Sequence, residues 1–348
     1  MRNKICNRIF YAILIVCMFS GCEKKLRNSG INIDFSNTKK VFVESKNVRI
    51  VCNTFPIFDW TREICDGVDE IELLLIQKNG SDLHNFKASV EDLINIRQSD
   101  LFIYGGGESD EWITGDLFSK KGRVLKFASM DFPFIMEDDE DEIDEHIWLS
   151  LRNAAFFTER ISSELCKIVP ERASDFEKNA FLYVKKLRDL DEKFSILFTG
   201  RAEKENVFIM CDRFPFAYFA RDYGIKFYSA FHGCSAETEA SFEKVAFLAE
   251  KLAGSANNFV FTLENNDKKL AKTVILNSGR KNIKIYELDS MQSVKNVKKE
   301  NFFGGKNSSQ TEKKFADGEI YSGGEVVSYL SIMEKNYQTI KTALNEVK

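Results

Sequence analysis

From residue 48 onward, short apolar runs alternate with segments in which apolar residues recur at helical spacing. Short apolar runs are typical of buried strands, and the three- to four-residue period is typical of amphipathic helices. Strands that alternate with helices predict βαβ units and a mostly parallel sheet. In the first half of the chain, the predicted strands cover 48–53, 71–75, 100–104 and 123–127.

The same alternation begins again in the second half, where the predicted strands cover 206–210, 226–230, 259–263 and 283–287. Between the halves, residues 174–198 have helical spacing, and Ser174 with Glu177 forms a capping-box pattern. At about 1.5 Å per residue this helix would span about 35 Å. The pattern therefore predicts an α/β protein of two Rossmann-like lobes, 48–173 and 199–348, joined by a long rigid helix over 174–198.

The N-terminal segment predicts export and attachment to a membrane. Basic residues precede an apolar run over 9–19, which is too short to span a membrane, so residues 1–21 are expected to be a signal peptide. Small residues come directly before Cys22, as in the cleavage box of a bacterial lipoprotein, where the cysteine is acylated. An ordinary secretory signal with an incidental cysteine is the alternative. Residues 22–47 are polar and are expected to form a flexible tether.

Composition and motifs narrow the class of protein. The chain has 348 residues, enough for two domains, and a net charge of −4, whereas general nucleic-acid binders usually carry a basic surplus. Gly105–Gly107 lacks the lysine and spacing of a phosphate-binding loop, and no HExxH pattern occurs. We therefore expect a binding protein, without enzymatic activity and without a nucleic-acid partner.

Two of the three histidines lie where open α/β sheets place ligand sites. His84 is in the loop between a predicted strand and the next helix, and His146 opens a later helix. Because such loops gather at the carboxyl ends of parallel strands, two imidazoles of one lobe can converge on a metal ion. Either histidine considered alone would more often be a capping or surface residue.

Several motifs extend over nearly the whole expected mature chain. Those of the first lobe are TFPIFDW over 54–60, DLHNF over 82–86, DLFIY over 100–104 and DEHIWL over 144–149. Those of the second lobe are DRFPFAYF over 212–219, GCSAETEAS over 233–241, DSMQS over 289–293 and YLSIM over 329–333. Together they resemble the zinc/manganese substrate-binding lipoproteins of ABC importers, the cluster A-I family. The first two second-lobe motifs resemble its zinc-binding branch.

The resemblance implies a receptor that holds one divalent cation between its lobes. His84 and His146 match two ligand positions of the family, and Asp289 matches its usual carboxylate ligand. The remaining ligand is commonly a histidine, at a position where this sequence has Arg213, which cannot be deprotonated to coordinate a cation. The adjacent Asp212 is the expected substitute, although it could equally pair with Arg213 or cap a helix.

Ligand type alone leaves the metal and the fourth ligand open. Imidazoles suit zinc, whereas carboxylates favour harder ions such as manganese. We expect Zn²⁺ as the transported ligand, because most such sites bind zinc more tightly and because of the branch resemblance; Mn²⁺ is the alternative. His232, Glu237 and Glu239 are the alternatives to Asp212, although a surface or helix-capping role explains each of them.

The acidic run 137–145 has eight carboxylates in nine residues and ends directly at His146. The resemblance implies a loop that raises the local cation concentration beside the site, because many zinc-binding relatives have a His-rich loop at this place. A solvated charged loop is the alternative.

The expected protein is the substrate-binding lipoprotein of an ABC importer, anchored through Cys22 at the extracytoplasmic face of the cell membrane. It is expected to deliver a divalent metal ion to a membrane permease and its ATPase. A surface adhesin lipoprotein on the same scaffold is a further alternative, although adhesion alone does not require two converging imidazoles.

Overall fold

The computed structural model describes residues 47–77, 80–136, 142–202, 205–231, 233, 240–295, 297, 302–303 and 327–345. The predicted signal peptide, Cys22 and nearly all of the tether lie outside these residues, as does the larger part of the acidic run. None of the described helices is both long and apolar enough to cross a membrane.

The first sheet confirms the predicted parallel arrangement. Its strands are β1 (Val48–Cys52), β2 (Ile71–Leu75), β3 (Leu101–Tyr104), β4 (Arg123–Lys126) and β9 (Phe302–Phe303), in the order β4-β3-β1-β2-β9. Strands β1 to β4 are parallel. Helix α1 (Phe55–Ile64) follows β1, and helix α2 (Val90–Gln98), which begins with a capping box at Ser89, precedes β3.

Two long helices follow the first sheet, α3 (Leu151–Ile168) and α4 (Ala173–Phe198). Helix α4 confirms the predicted connecting helix, and one of its faces is buried from Phe176 to Phe198. The predicted capping box at Ser174 is wrong. The helix begins one residue earlier, so that Ser174 lies within the first turn, and no side-chain hydrogen bond caps its start.

The second sheet has the strands β5 (Val207–Arg213), β6 (Lys226–Phe231), β7 (Phe259–Leu263) and β8 (Lys284–Leu288), in the order β6-β5-β7-β8. All four strands are parallel. Three helices lie between them in the sequence, α5 (Ala217–Tyr223), α6 (Phe242–Gly254) and α7 (Lys269–Asn277). The protein therefore has two parallel-sheet α/β lobes and a long helix between them, as the sequence predicts.

Later segments of the chain return to the first lobe. The sequence predicts an exposed loop inside the second lobe over 293–318, but β9, within that range, pairs antiparallel with β2 at the edge of the first sheet. Helix α8 (Tyr329–Leu344) contacts both lobes. Its Tyr329 N donates to the Asp59 carboxylate of α1 at 2.9 Å, and one continuous hydrophobic core contains residues of both sheets.

Candidate metal centre

His84 is placed by a short turn after β2. The Asp82 carboxylate accepts a hydrogen bond from His84 N at 3.0 Å and thereby starts the 3-10 turn Leu83–Asn85. The second lobe holds the same turn, because Leu83 N donates to the backbone oxygen of Gln292 at 3.1 Å. The His84 side chain is therefore fixed where the two lobes meet, and it is only 10 % exposed.

His146 immediately precedes the 3-10 turn Ile147–Leu149, which leads into α3. Asp144 Oδ1 accepts a hydrogen bond from His146 N at 2.8 Å and lies 2.9 Å from the ring Nδ1. The side chain of His146 is fully buried. A carboxylate that accepts the Nδ1 proton leaves the Nε2 lone pair available, which is how histidine ligands are commonly oriented towards a metal.

The two imidazoles face each other, with their ring centres 5.6 Å apart. Their Nε2 atoms converge on one point, since the side-chain nitrogen of Gln292 lies 3.0 Å from Nε2 of His84 and 2.5 Å from Nε2 of His146. Gln292 follows β8 in the second lobe. The structure therefore brings together the two histidines that the sequence singled out. It also places the neutral Gln292 side chain between them, a contact that the sequence analysis did not predict.

Glu145 is a third potential ligand that sequence reasoning missed. Its Oε1 lies 3.3 Å from Nδ1 of His84, and it accepts a hydrogen bond from Ser109 Oγ at 2.5 Å. Each of His84, Glu145 and His146 offers one ligand atom, and these atoms lie within 4.8 Å of one another. The only sequence signal was the position of Glu145 at the end of the acidic run, next to His146.

Gly107, the last of the three glycines after β3, allows Glu145 to approach. A Cβ atom on Gly107 would lie 2.5 Å from the Cβ of Glu145, closer than van der Waals contact permits. Gly106 has a φ of +90°, a conformation that favours glycine, and its N–H donates to Asp110 at 2.7 Å. The Gly105–Gly107 segment thus packs against the candidate centre rather than forming a phosphate-binding loop.

Burial sets the charges of this centre. Burial, and after it the neighbouring His146, lower the pKa of His84 to about 4. Burial also raises the pKa of Glu145 to about 6. Near pH 7, His84 is therefore neutral and can offer a lone pair, while Glu145 is mostly ionised. Two imidazole nitrogens with one carboxylate oxygen form a donor set that zinc commonly takes.

Asp212, the expected fourth ligand, lies at the end of β5 with its carboxylate bound inside the second lobe. Its oxygens accept hydrogen bonds from Arg213 N at 2.8 Å, Leu263 N at 3.2 Å and Asn266 Nδ2 at 2.5 Å. The Arg213 side chain points across to the first lobe and donates to Asp82 at 3.0 Å. Asp212 is not in the cluster of potential ligands among the described residues.

Asp289, the other expected carboxylate ligand, lies just after β8. Its Oδ1 accepts a hydrogen bond from Met291 N at 2.9 Å, and its backbone exchanges two hydrogen bonds with Asn336 of α8. Burial raises the pKa of Asp289. It also lies outside the described cluster, so a ligand role for Asp212 or Asp289 stays a prediction.

His232, Glu237 and Glu239 lie outside the described residues, as do residues 137–141 of the acidic run. Of that run, Glu142 to Glu145 are described, and its last two acidic residues, Asp144 and Glu145, are buried beside the two histidines.

Comparison with known proteins identifies relatives over most of the chain. The sequence model of the ZnuA family, described as zinc-uptake complex component A, periplasmic, matches residues 50–343. The zinc-binding protein AdcA of Streptococcus pyogenes is 24 % identical over 330 residues, which cover 88 % of this chain and 58 % of AdcA. The zinc-binding lipoprotein AdcA of Streptococcus pneumoniae is 25 % identical, over 86 % of this chain and 56 % of that protein. The chain thus spans little more than half the length of these relatives.

A solved structure shows the same fold. The manganese-bound periplasmic metal binding protein from Candidatus Liberibacter asiaticus superimposes with a TM-score of 0.66. It is 18 % identical, and the match covers 85 % of this chain and 99 % of that protein. At this identity the likeness concerns the architecture of two lobes and a long helix.

Proposed function

Because the chain belongs to the family of zinc-uptake complex component A, we propose that it is the metal-capturing receptor of a bacterial ABC importer, with zinc as its cargo. The observation that carries the proposal is the convergence of two buried Nε2 atoms, those of His84 and His146, on one point. A structural histidine pair would not require carboxylates behind both rings, whereas Asp144 and Glu145 lie within 3.3 Å of the two Nδ1 atoms.

We propose His84 and His146 as metal ligands, with Asp289 and Asp212 as ligands from the second lobe. Glu145 joins them as a further candidate from the first lobe, although its Oε1 lies 3.3 Å from Nδ1 of His84 and would have to leave that nitrogen to reach a cation at Nε2. Asp212 and Asp289 would first have to exchange their present hydrogen bonds for the cation. Because the His84 and His146 side chains are buried where the two lobes meet, a cation bound by them and by second-lobe ligands would have little contact with water.

Zinc is proposed over manganese because of the donor set and because the curated relatives are named zinc-binding proteins. Metal analysis of protein purified without a chelator should find zinc. In competition titrations, zinc should bind at least about a hundredfold more tightly than manganese, a difference of about 2.8 kcal/mol. Equal or tighter binding of manganese would reassign the cargo and leave the receptor function in place.

We also propose that Cys22 carries a lipid anchor, that the protein lies at the extracytoplasmic face of the cell membrane, and that a permease with its ATPase receives the metal. The S. pneumoniae relative is named a lipoprotein, which supports the anchor. Cys22→Ser should abolish partitioning into a detergent phase. If the variant partitions as the wild type does, the protein is held at the membrane by another means.

A further inference from the structure

We propose that Gln292 is an internal competitor for the metal position, whose side-chain amide must leave before one cation can bind both His84 and His146. The inference rests on the proposed metal-receptor function. It concerns a second-lobe residue that is neither charged nor a member of the cluster of potential ligands.

The Gln292 amide has as many hydrogens to donate as the two imidazoles have Nε2 acceptors. An amide NH₂ group has two hydrogens, and the Gln292 nitrogen lies within 3.0 Å of two imidazole Nε2 atoms. Nδ1 of His146 faces the Asp144 carboxylate. Nδ1 of His84 lies 3.1 Å from Ser109 Oγ, whose own hydrogen is donated to Glu145, so both rings have an acceptor for a proton on Nδ1. Each Nε2 is then an acceptor, and the amide donates one hydrogen to each. A cation needs the same two lone pairs.

The Gln292 side chain can leave without movement of its backbone. The backbone oxygen of Gln292 accepts hydrogen bonds from Gln77 Nε2 at 2.6 Å and from Leu83 N at 3.1 Å, both in the first lobe. The side-chain oxygen lies 3.2 Å from Ser290 Oγ, whose shorter hydrogen bond, at 2.7 Å, is to Glu264. The closest polar contacts of the side chain are therefore those to the two imidazoles. Release of these two contacts leaves both backbone hydrogen bonds of Gln292 in place.

The competitor lowers the apparent metal affinity and stabilises the metal-free protein. The apparent dissociation constant is the intrinsic one divided by the fraction of molecules in which the amide has left. A residue that cannot donate hydrogen bonds removes this penalty. We therefore expect Gln292→Ala to bind Zn²⁺ about tenfold more tightly than the wild type, a change of about 1.4 kcal/mol. The metal-free variant should also unfold at a lower temperature than the metal-free wild type.

The first test is a titration of the full chain with Zn²⁺ against a chelating dye, for the wild type, Gln292→Ala and a matched control. Gln338→Ala is the control, because Gln338 is exposed on α8 and donates only to Glu334 among the described residues, at 2.9 Å. Tighter binding by Gln292→Ala alone supports the competitor. Unchanged affinity overturns it. A loss as large as that of His146→Ala also overturns it, because Gln292 would then be a ligand.

The second test needs no metal. The ¹⁵N chemical shifts of the histidine rings in the metal-free protein should differ between the wild type and Gln292→Ala at Nε2 of both His84 and His146. Identical shifts would show that no such hydrogen bonds exist and would overturn the competitor even if zinc binds. A wild type that binds no zinc would instead overturn the proposed function, so the two failures can be told apart.

Discussion

The two lobes contribute to the candidate centre in different ways. On the first-lobe side, side chains of that lobe hydrogen-bond to His84, Glu145 and His146 or to their backbone, and ligand atoms of the three residues lie within 4.8 Å of one another. On the second-lobe side, the carboxylates of Asp212 and Asp289 bind backbone N–H groups of their own lobe. The first lobe therefore presents a prepared set of donors, whereas the second presents acidic groups that already have partners.

The difference indicates an order of events in metal capture. A cation that arrives can bind the two first-lobe imidazoles at once, because they need no rearrangement beyond release of the Gln292 amide. Ligands from the second lobe can follow only as existing hydrogen bonds break. We infer that the first lobe supplies most of the binding free energy and that the second lobe adjusts it.

The largest expected effect comes from removal of a first-lobe imidazole. His146→Ala should weaken zinc binding by several kcal/mol, because one of about four ligands is lost and the remaining donors leave an open position. His84→Ala should act similarly. Isothermal titration calorimetry on both variants measures the loss, and circular dichroism of the metal-free variants checks that they are folded. Unchanged affinity in both variants would remove the proposed site.

The second-lobe carboxylates should give a smaller and unequal effect. Asp289→Ala should weaken zinc binding more than Asp212→Ala, because Asp212 would have to give up hydrogen bonds to both Leu263 and Asn266 in order to coordinate. Asp212→Ala should instead destabilise the metal-free protein by about 1–3 kcal/mol, since these donors lose their acceptor. Urea unfolding with and without zinc measures both quantities.

The opposite ranking of the two aspartates would contradict the comparison of the lobes. If Asp212→Ala weakens zinc binding as much as His146→Ala does, the second lobe supplies a principal ligand. The Asp212 carboxylate would then give up its hydrogen bond to Leu263 N, at the end of β7, whenever metal binds.

The smallest expected effect is that of Glu145→Gln, which keeps the size of the side chain and removes its charge. Zinc affinity at pH 7.5 should fall about tenfold, in the range expected for groups that ligate a metal or orient a ligand. Burial raises the pKa of Glu145 to about 6, so the charge is present above that pH and is lost as the pH falls through it. The difference between wild type and variant should therefore shrink below about pH 6. Glu111→Gln, at an exposed position, is the control.

The sequence predicted most of the architecture because the fold depends on periodic patterns. The parallel strands, both lobes and helix α4 follow from the alternating apolar runs, and the strands and the helix lie within one or two residues of their expected bounds, apart from β5, which ends three residues later. Strand β9 could not be predicted in this way, since two residues are too few to show a period. The pairing of β9 with β2 is a tertiary contact that no local pattern reports.

The candidate site was only partly accessible from the sequence. His84 and His146 stood out because histidine is rare in this chain and both follow predicted strands. Glu145 could not be distinguished from the seven other carboxylates of the same run, because only the fold decides which of them turn inward. Gln292 carries no charge and matches no metal-binding pattern, and its contact with the histidines joins residues more than 140 positions apart.

The hydrogen bond between Tyr329 and Asp59 also bears on how the chain folds. It joins residues 270 positions apart, and β9 likewise completes the sheet that begins at Val48. Contacts of such sequence separation form late, because the entropy of closing a long loop opposes them. While the chain is being synthesised, the first lobe can form its parallel strands but lacks β9 and the docked start of α8. We therefore expect its last cooperative step to await the residues around 302–344. A chain that stops before them should stay incompletely folded and expose the edge of β2.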